Sequence, residues 1–160
     1  MKTRMTEMLG IQYPIMQGGM QNLGVPALAA AVSEAGGLGT INATIYPEID
    51  DLRAAIRETK KLTDKPFCVN ISLLPGVSVG DATKEVIRVC GEEGVKVIET
   101  AGTSPKDLVP LIHDAGMLHF HKVPGIKYAL SAERAGVDAV DCAISSMAGM
   151  TSCLLYTSPS

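Results

Sequence analysis

Four times the chain writes the same short punctuation: Glu34-Ala35-Gly36, Glu92-Glu93-Gly94, Asp114-Ala115-Gly116 and Arg134-Ala135-Gly136. Each time a helix-like run precedes the triplet and an apolar, strand-like run follows it. A glycine just past the last helical residue accepts the left-handed backbone that closes a helix. Helices and strands that alternate this way predict parallel strands joined by right-handed crossovers. An open doubly wound sheet and a (β/α)8 barrel both satisfy that pattern. The short, regular spacing of the units favours the barrel.

The elements follow in order. Tyr13-Pro14-Ile15-Met16 reads as a first strand, Val25 to Ala35 as a helix, and Leu38 to Ala43 as a second strand. Pro47, Glu48, Asp50 and Asp51 open a helix that runs to Leu62, since acids suit a helix N-terminus. Phe67 to Ile71 is the third strand, Asp81 to Glu93 a helix, and Val95 to Thr100 the fourth strand. Pro105 to Ala115 is a helix, Met117 to Lys122 the fifth strand, Ile126 to Ala135 a helix, and Val137 begins a sixth strand. A closed barrel needs eight such units and about 250 residues. The expectation is therefore an α/β chain, a (β/α)8 TIM barrel truncated to five or six βα units over residues 1–140. Residues 141–160, and above all Cys153 to Ser160, continue no periodicity and are expected to be a divergent, non-native tail.

Composition narrows the partners. A net charge of -3 gives no basic excess for nucleic acid or for a membrane surface. Aromatic residues make up 4% of the chain, too few for stacking platforms. The N-terminus has no apolar signal core and no run is long enough to span a bilayer, so a cytoplasmic protein is expected. Cys68, Cys90, Cys142 and Cys153 form no CxxC pair and read as buried free thiols.

The chemistry gathers at strand ends. Gln17, Gly18, Gly19, Asn42, Asn70, Thr100, Gly102, His121 and Lys122 all fall where strands finish. In a parallel barrel those ends share one rim, where active sites are built. Gly18-Gly19 removes side chains just after the first strand, which lets a flat polar ligand lie against backbone. Strand alternation sets Cys68 and Asn70 on one face and Phe67, Val69 and Ile71 on the other. An Asn on an apolar strand needs a partner. Lys122 offers a fixed positive charge. His113, late in a helix, reads as solvated; His119 and His121 face the same way, but with no carboxylate or Cys arranged beside them no metal site is expected.

These residues resemble the nitronate monooxygenase family, formerly 2-nitropropane dioxygenase. The resemblance runs through Lys2-Thr3-Arg4, Gly10 to Met20, Ala29 to Gly39, Leu62 to Phe67 with Val69-Asn70, Glu93 to Val97, Glu99 to Gly102, His121-Lys122 and Ala132 to Val140. It implies an FMN-binding barrel that oxidises alkyl nitronates or nitroalkanes with dioxygen, giving a carbonyl compound and nitrite. By position, Gln17, Gly18, Gly19 and Met20 would lie along the flavin ring, Asn70 would hydrogen-bond it, and Lys122 would bring positive charge to it. Sister activities of this scaffold are FMN-dependent enoyl-acyl-carrier reductase and NAD(P)H:quinone reductase; a non-catalytic partial barrel is the remaining alternative. The family's catalytic His follows an Ala-Gly element after the sixth strand. Here Ala148-Gly149 is followed by Met150, which cannot take a proton, so no catalytic residue is assigned. The family's FMN phosphate loops, after strands seven and eight, have no counterpart in these residues, and weak FMN affinity is expected.

Overall fold

The structure is a computed structural model. It describes residues 2–73, 80–146 and 149–156, with side chains as far as Asp141. The chain runs helix α1 (Arg4–Leu9), α2 (Pro26–Glu34), strand β1 (Gly39–Asn42), a 3-10 turn (Ala43–Ile45), α3 (Ile49–Leu62) and β2 (Phe67–Leu73). It continues with α4 (Asp81–Glu92), β3 (Val97–Gly102), α5 (Val109–Asp114), β4 (Leu118–Val123), α6 (Ile126–Ala135), β5 (Ala139–Ser146) and β6 (Gly149–Tyr156). The sheet order is β1-β2-β3-β4-β5-β6. Strands β1 to β5 pair parallel, each with its predecessor in sequence. A doubly wound sheet reverses its strand order part-way. This one never does, so the curved, singly wound sheet of a (β/α) barrel is the architecture.

The helix-closing glycines behave as the sequence implied. Gly36, Gly94, Gly116 and Gly136 all carry positive φ, between 69° and 95°. Gly39 is held for another reason. A Cβ there would sit 1.8 Å from the carbonyl oxygen of Ala29, so β1 can lie on α2 only with no side chain between them. Ser33, 1% exposed, stitches the same corner: its hydroxyl donates to the Pro66 carbonyl at 2.9 Å and accepts from the Gly39 N–H at 3.1 Å.

Side-chain alternation divides the core in two. Ile41, Phe67, Val69, Ile71, Leu73 and Ile98 pack against Ala29, Leu52, Ile56, Ile87, Leu108 and Ile112 of the helices. The opposite face of the sheet buries Cys68, Val97, Phe120 and Ala139 with Met5, Leu9 and Ile11. Helix α1 thus plugs the concave side at the strands' N-terminal ends. It was not anticipated. Its start is fixed by Thr3, whose side chain accepts from the Thr6 N–H, with Thr6 returning the bond to the Thr3 backbone. A Thr in place of the Glu or Gln of the usual capping box hides that signal in the sequence.

Two expectations change. Tyr13–Met16 is not a strand; Met16 makes one isolated parallel bridge to Leu38, and Pro14 has no N–H to extend the ladder. The helix expected from Pro105 begins at Val109, with Pro110 in its first turn. Strand β5 runs on to Ser146 and carries β6 antiparallel on its far edge. Ala148 and the side chains of Cys142, Met150 and Cys153 lie outside the described residues. Cys68 and Cys90 are free and buried.

Candidate functional site

On the concave face each central strand changes character within one side-chain repeat. Cys68 gives way to Asn70, Val97 to Glu99, Phe120 to Lys122, and Ala139 to Asp141. The first of each pair is apolar packing below; the second forms a polar layer above, towards the strands' C-terminal ends. Register makes the layer contiguous, with Asn70 opposite Glu99 and Lys122 opposite Asp141.

Contacts link the four side chains of the polar layer. Asn70 donates its amide N–H to Glu99 Oε2 at 2.5 Å. Lys122 Nζ lies 2.9 Å from Glu99 Oε1 and 3.7 Å from Asp141 Oδ2. Glu99 is fully buried, Asn70 is 3% and Asp141 2% exposed, and the Lys122 side chain is 13% exposed. Burial opposes the charge on Lys122, but Glu99 and then Asp141 outweigh it and hold the ammonium above its ordinary range. Burial, reinforced by the Glu99 charge, lifts Asp141 to about 6. The same two causes push the Cys68 thiol well up, so it stays protonated.

The diglycine lies over this layer. A Cβ on Gly19 would come within 2.4 Å of Asn70 Cγ, and one on Gly18 within 3.8 Å of Lys122 Nζ. Gln17 fixes the segment: its side chain donates to the Thr40 carbonyl at 3.0 Å and accepts from the Thr40 N–H at 3.3 Å, while the Thr40 hydroxyl donates to the Gln17 carbonyl at 2.6 Å. The N–H groups of Gly18, Gly19 and Met20 enter no backbone hydrogen bond among the described residues. The structure therefore brings Gln17, Gly18, Gly19, Asn70 and Lys122 to one end of the sheet, with Met20 following in the same half-buried segment.

Other rim candidates serve different ends. Asn42 caps the 3-10 turn, its Oδ1 accepting from the Thr44 N–H and hydroxyl at 2.9 and 2.7 Å. Thr100 and His121 belong to the opposite, helix-facing side. There the Thr100 hydroxyl sits 2.7 Å from His119 Nε2 and 2.7 Å from His121 Nδ1. Burial lowers His119 to about 3 and His121 to about 4, so both rings are neutral near pH 7. His113 pairs with Asp138 at 2.9 Å rather than standing in water alone. A cleft of about 480 Å³ lined by Lys60, Thr63, Lys65 and Lys96 lies at the strands' N-terminal ends, away from this layer.

Two residues were missed by reading the sequence: Glu99 and Asp141. Glu99 carried a signal, an acid in the apolar run Val95 to Thr100. Asp141 carried none, because it sat just past the end of the readable periodicity. Lys122 keeps its positive charge, and Glu99 stands beside it as the counter-charge.

A profile of the nitronate monooxygenase family matches residues 2–152. The chain belongs to the nitronate monooxygenase family. A nitronate monooxygenase of Pseudomonas aeruginosa is 55% identical over 71 residues, 44% of this chain and 20% of that protein. A (3aS,4S,5R,7aS)-5-hydroxy-7a-methyl-1-oxo-octahydro-1H-indene-4-carboxyl-CoA dehydrogenase of Mycobacterium tuberculosis is 34% identical over 140 residues, 88% of this chain and 38% of that protein. Among solved structures, FabK of Thermotoga maritima superimposes with a TM-score of 0.78 at 42% identity, over 88% of this chain and 43% of that one. Nitroalkane oxidase of Streptomyces ansochromogenes does so with 0.71 at 26%, over 86% and 47%. The chain thus spans less than half the length of each of these proteins. No helix among the described residues is long and apolar enough to cross a membrane.

Proposed function

We propose that residues 1–140 carry the ring-binding part of an FMN-dependent oxidoreductase that oxidises alkyl nitronates with dioxygen to a carbonyl compound and nitrite. The observation that carries this reading is the diglycine laid on Asn70 and Lys122. The residues suit a flavin ring: a side-chain-free strip with unspent N–H donors faces an amide and an ammonium. FMN, when bound, supplies electron transfer between nitronate and dioxygen. Gln17 holds the strip to β1, and the backbone N–H groups of Gly18, Gly19 and Met20 bind the ring's polar edge. Asn70, oriented by Glu99, presents its carbonyl oxygen, and Lys122 contributes a charge already balanced by Glu99. An anionic nitronate is already deprotonated and makes less demand on a base than a neutral nitroalkane does.

A second reading, FMN-dependent enoyl-acyl-carrier reductase, is favoured by the 42% identity to FabK over most of this chain. Turnover separates the two. In a full-length relative carrying these ring-binding residues, with FMN and air, propyl-1-nitronate should yield nitrite without NADH. NADH consumption with crotonyl thioester, and no nitrite, would select the second reading instead.

A further inference from the structure

Beneath the diglycine, the polar layer holds two carboxyls for one ammonium, and all three are buried. Glu99 Oε1 takes the Lys122 ammonium at 2.9 Å and Oε2 takes the Asn70 amide at 2.5 Å. Asp141 is left with the longer contact to Lys122, 3.7 Å, through Oδ2. Its Oδ1 is buried and meets no donor among the described residues. Asp141 and Glu99 thus meet at one ammonium, and Lys122 can balance only one of them. A second ionised carboxylate held out of water beside the first is costly, and a proton on it removes that cost.

We propose that Asp141 carries a proton beside the Glu99–Lys122 pair, and that this proton sets the charge of the ring-binding end of the barrel. With the proton in place, one ammonium faces one carboxylate and one carboxylic acid, and the layer is neutral. When the O–H bond breaks, the proton leaves to solvent, both carboxylates remain, and the layer carries one net negative charge. Asp141 is thus a positioning residue for charge. It admits an anionic ligand to the diglycine below its titration and repels one above it. The charged groups beside it are Glu99 on β3 and Lys122 on β4; the Cys68 thiol, lower on the same face, stays protonated and adds no charge. His119 and His121 lie on the other face of the sheet and take no part. The anion's identity as a nitronate rests on the function proposed above; the Asp141 proton does not.

Carboxyl-carbon NMR of the chain without flavin tests the proton, so that failure of the flavin reading leaves this result intact. The Asp141 carbon should titrate near pH 6. In Glu99→Gln that midpoint should drop, since the repelling charge is gone. In Lys122→Met it should rise. A wild-type midpoint in the ordinary carboxylate range overturns the proposal, whether or not either variant folds. Nitrite, anionic throughout pH 5 to 8, probes the consequence through the amide shifts of Gly18 and Gly19. Its affinity should fall about tenfold from pH 5 to pH 8, the order expected for one added charge close by, and be flat in Asp141→Asn. Equal affinity at both pH values in the wild type overturns the electrostatic role.

Discussion

Asn70 is a buried amide on an apolar strand, and its bond to Glu99 offsets the cost of that burial. An amide on an apolar strand had to find a partner, and alternation had to turn it to the Cys68 face; both hold. The partner itself, Glu99, could not be assigned, because register between β2 and β3 is a tertiary fact that no local spacing reports. His119 and His121 show the same limit from the other side. Their common face was evident, but which layer that face met was not. Their burial has a consequence for stability. An unfolded histidine titrates near 6.5, whereas these stay neutral down to about 3 and 4. The folded chain therefore binds fewer protons than the unfolded chain below pH 6.5. Stability is full above that pH and is lost as pH falls. Asp141, raised to about 6, works oppositely over its smaller window. The two rings prevail, and the net loss between pH 7.5 and pH 5 should be about 2.5 kcal/mol. Urea midpoints at the two pH values check this; an unchanged midpoint would contradict it.

Elements with strong punctuation were readable. Helices α2, α3, α4 and α6 and strands β1 to β4 all appear within a few residues of the expected ends, because glycine and proline act locally. Failures occurred where the cause lay elsewhere in the chain. The segment Tyr13–Met16 is apolar enough for a strand, but only Met16 meets β1. Helix α1 exists because Met5 and Leu9 are needed beneath the sheet. The junction of α2, β1 and β2 depends on Ser33, which looks unremarkable in an alanine-rich helix. Ser33→Ala strips the Gly39 N–H and the Pro66 carbonyl of their buried partner and should lower stability by about 1–3 kcal/mol in urea denaturation. A loss within a few tenths would mean that water replaces the hydroxyl.

For the molecule as a whole, the helix-to-strand rhythm was enough to choose a barrel over a doubly wound sheet, and the sequential strand order agrees. The candidate site was readable as a set of strand ends but not as a charge balance, because the compensating acids face inward on neighbouring strands. What the fold builds is a polar layer closed from below by α1 and crossed above by a side-chain-free strip. The account depends on that strip being a seat for a flavin ring. The most direct measurement is FMN titration of the isotope-labelled chain, read at backbone amides, in the wild type and in Gly19→Val, whose side chain would collide with Asn70. Saturable shifts at Gly18, Gly19, Met20 and Asn70, lost in a folded Gly19→Val, are the predicted result. Shifts confined to other parts of the chain, or unchanged by the substitution, would contradict it.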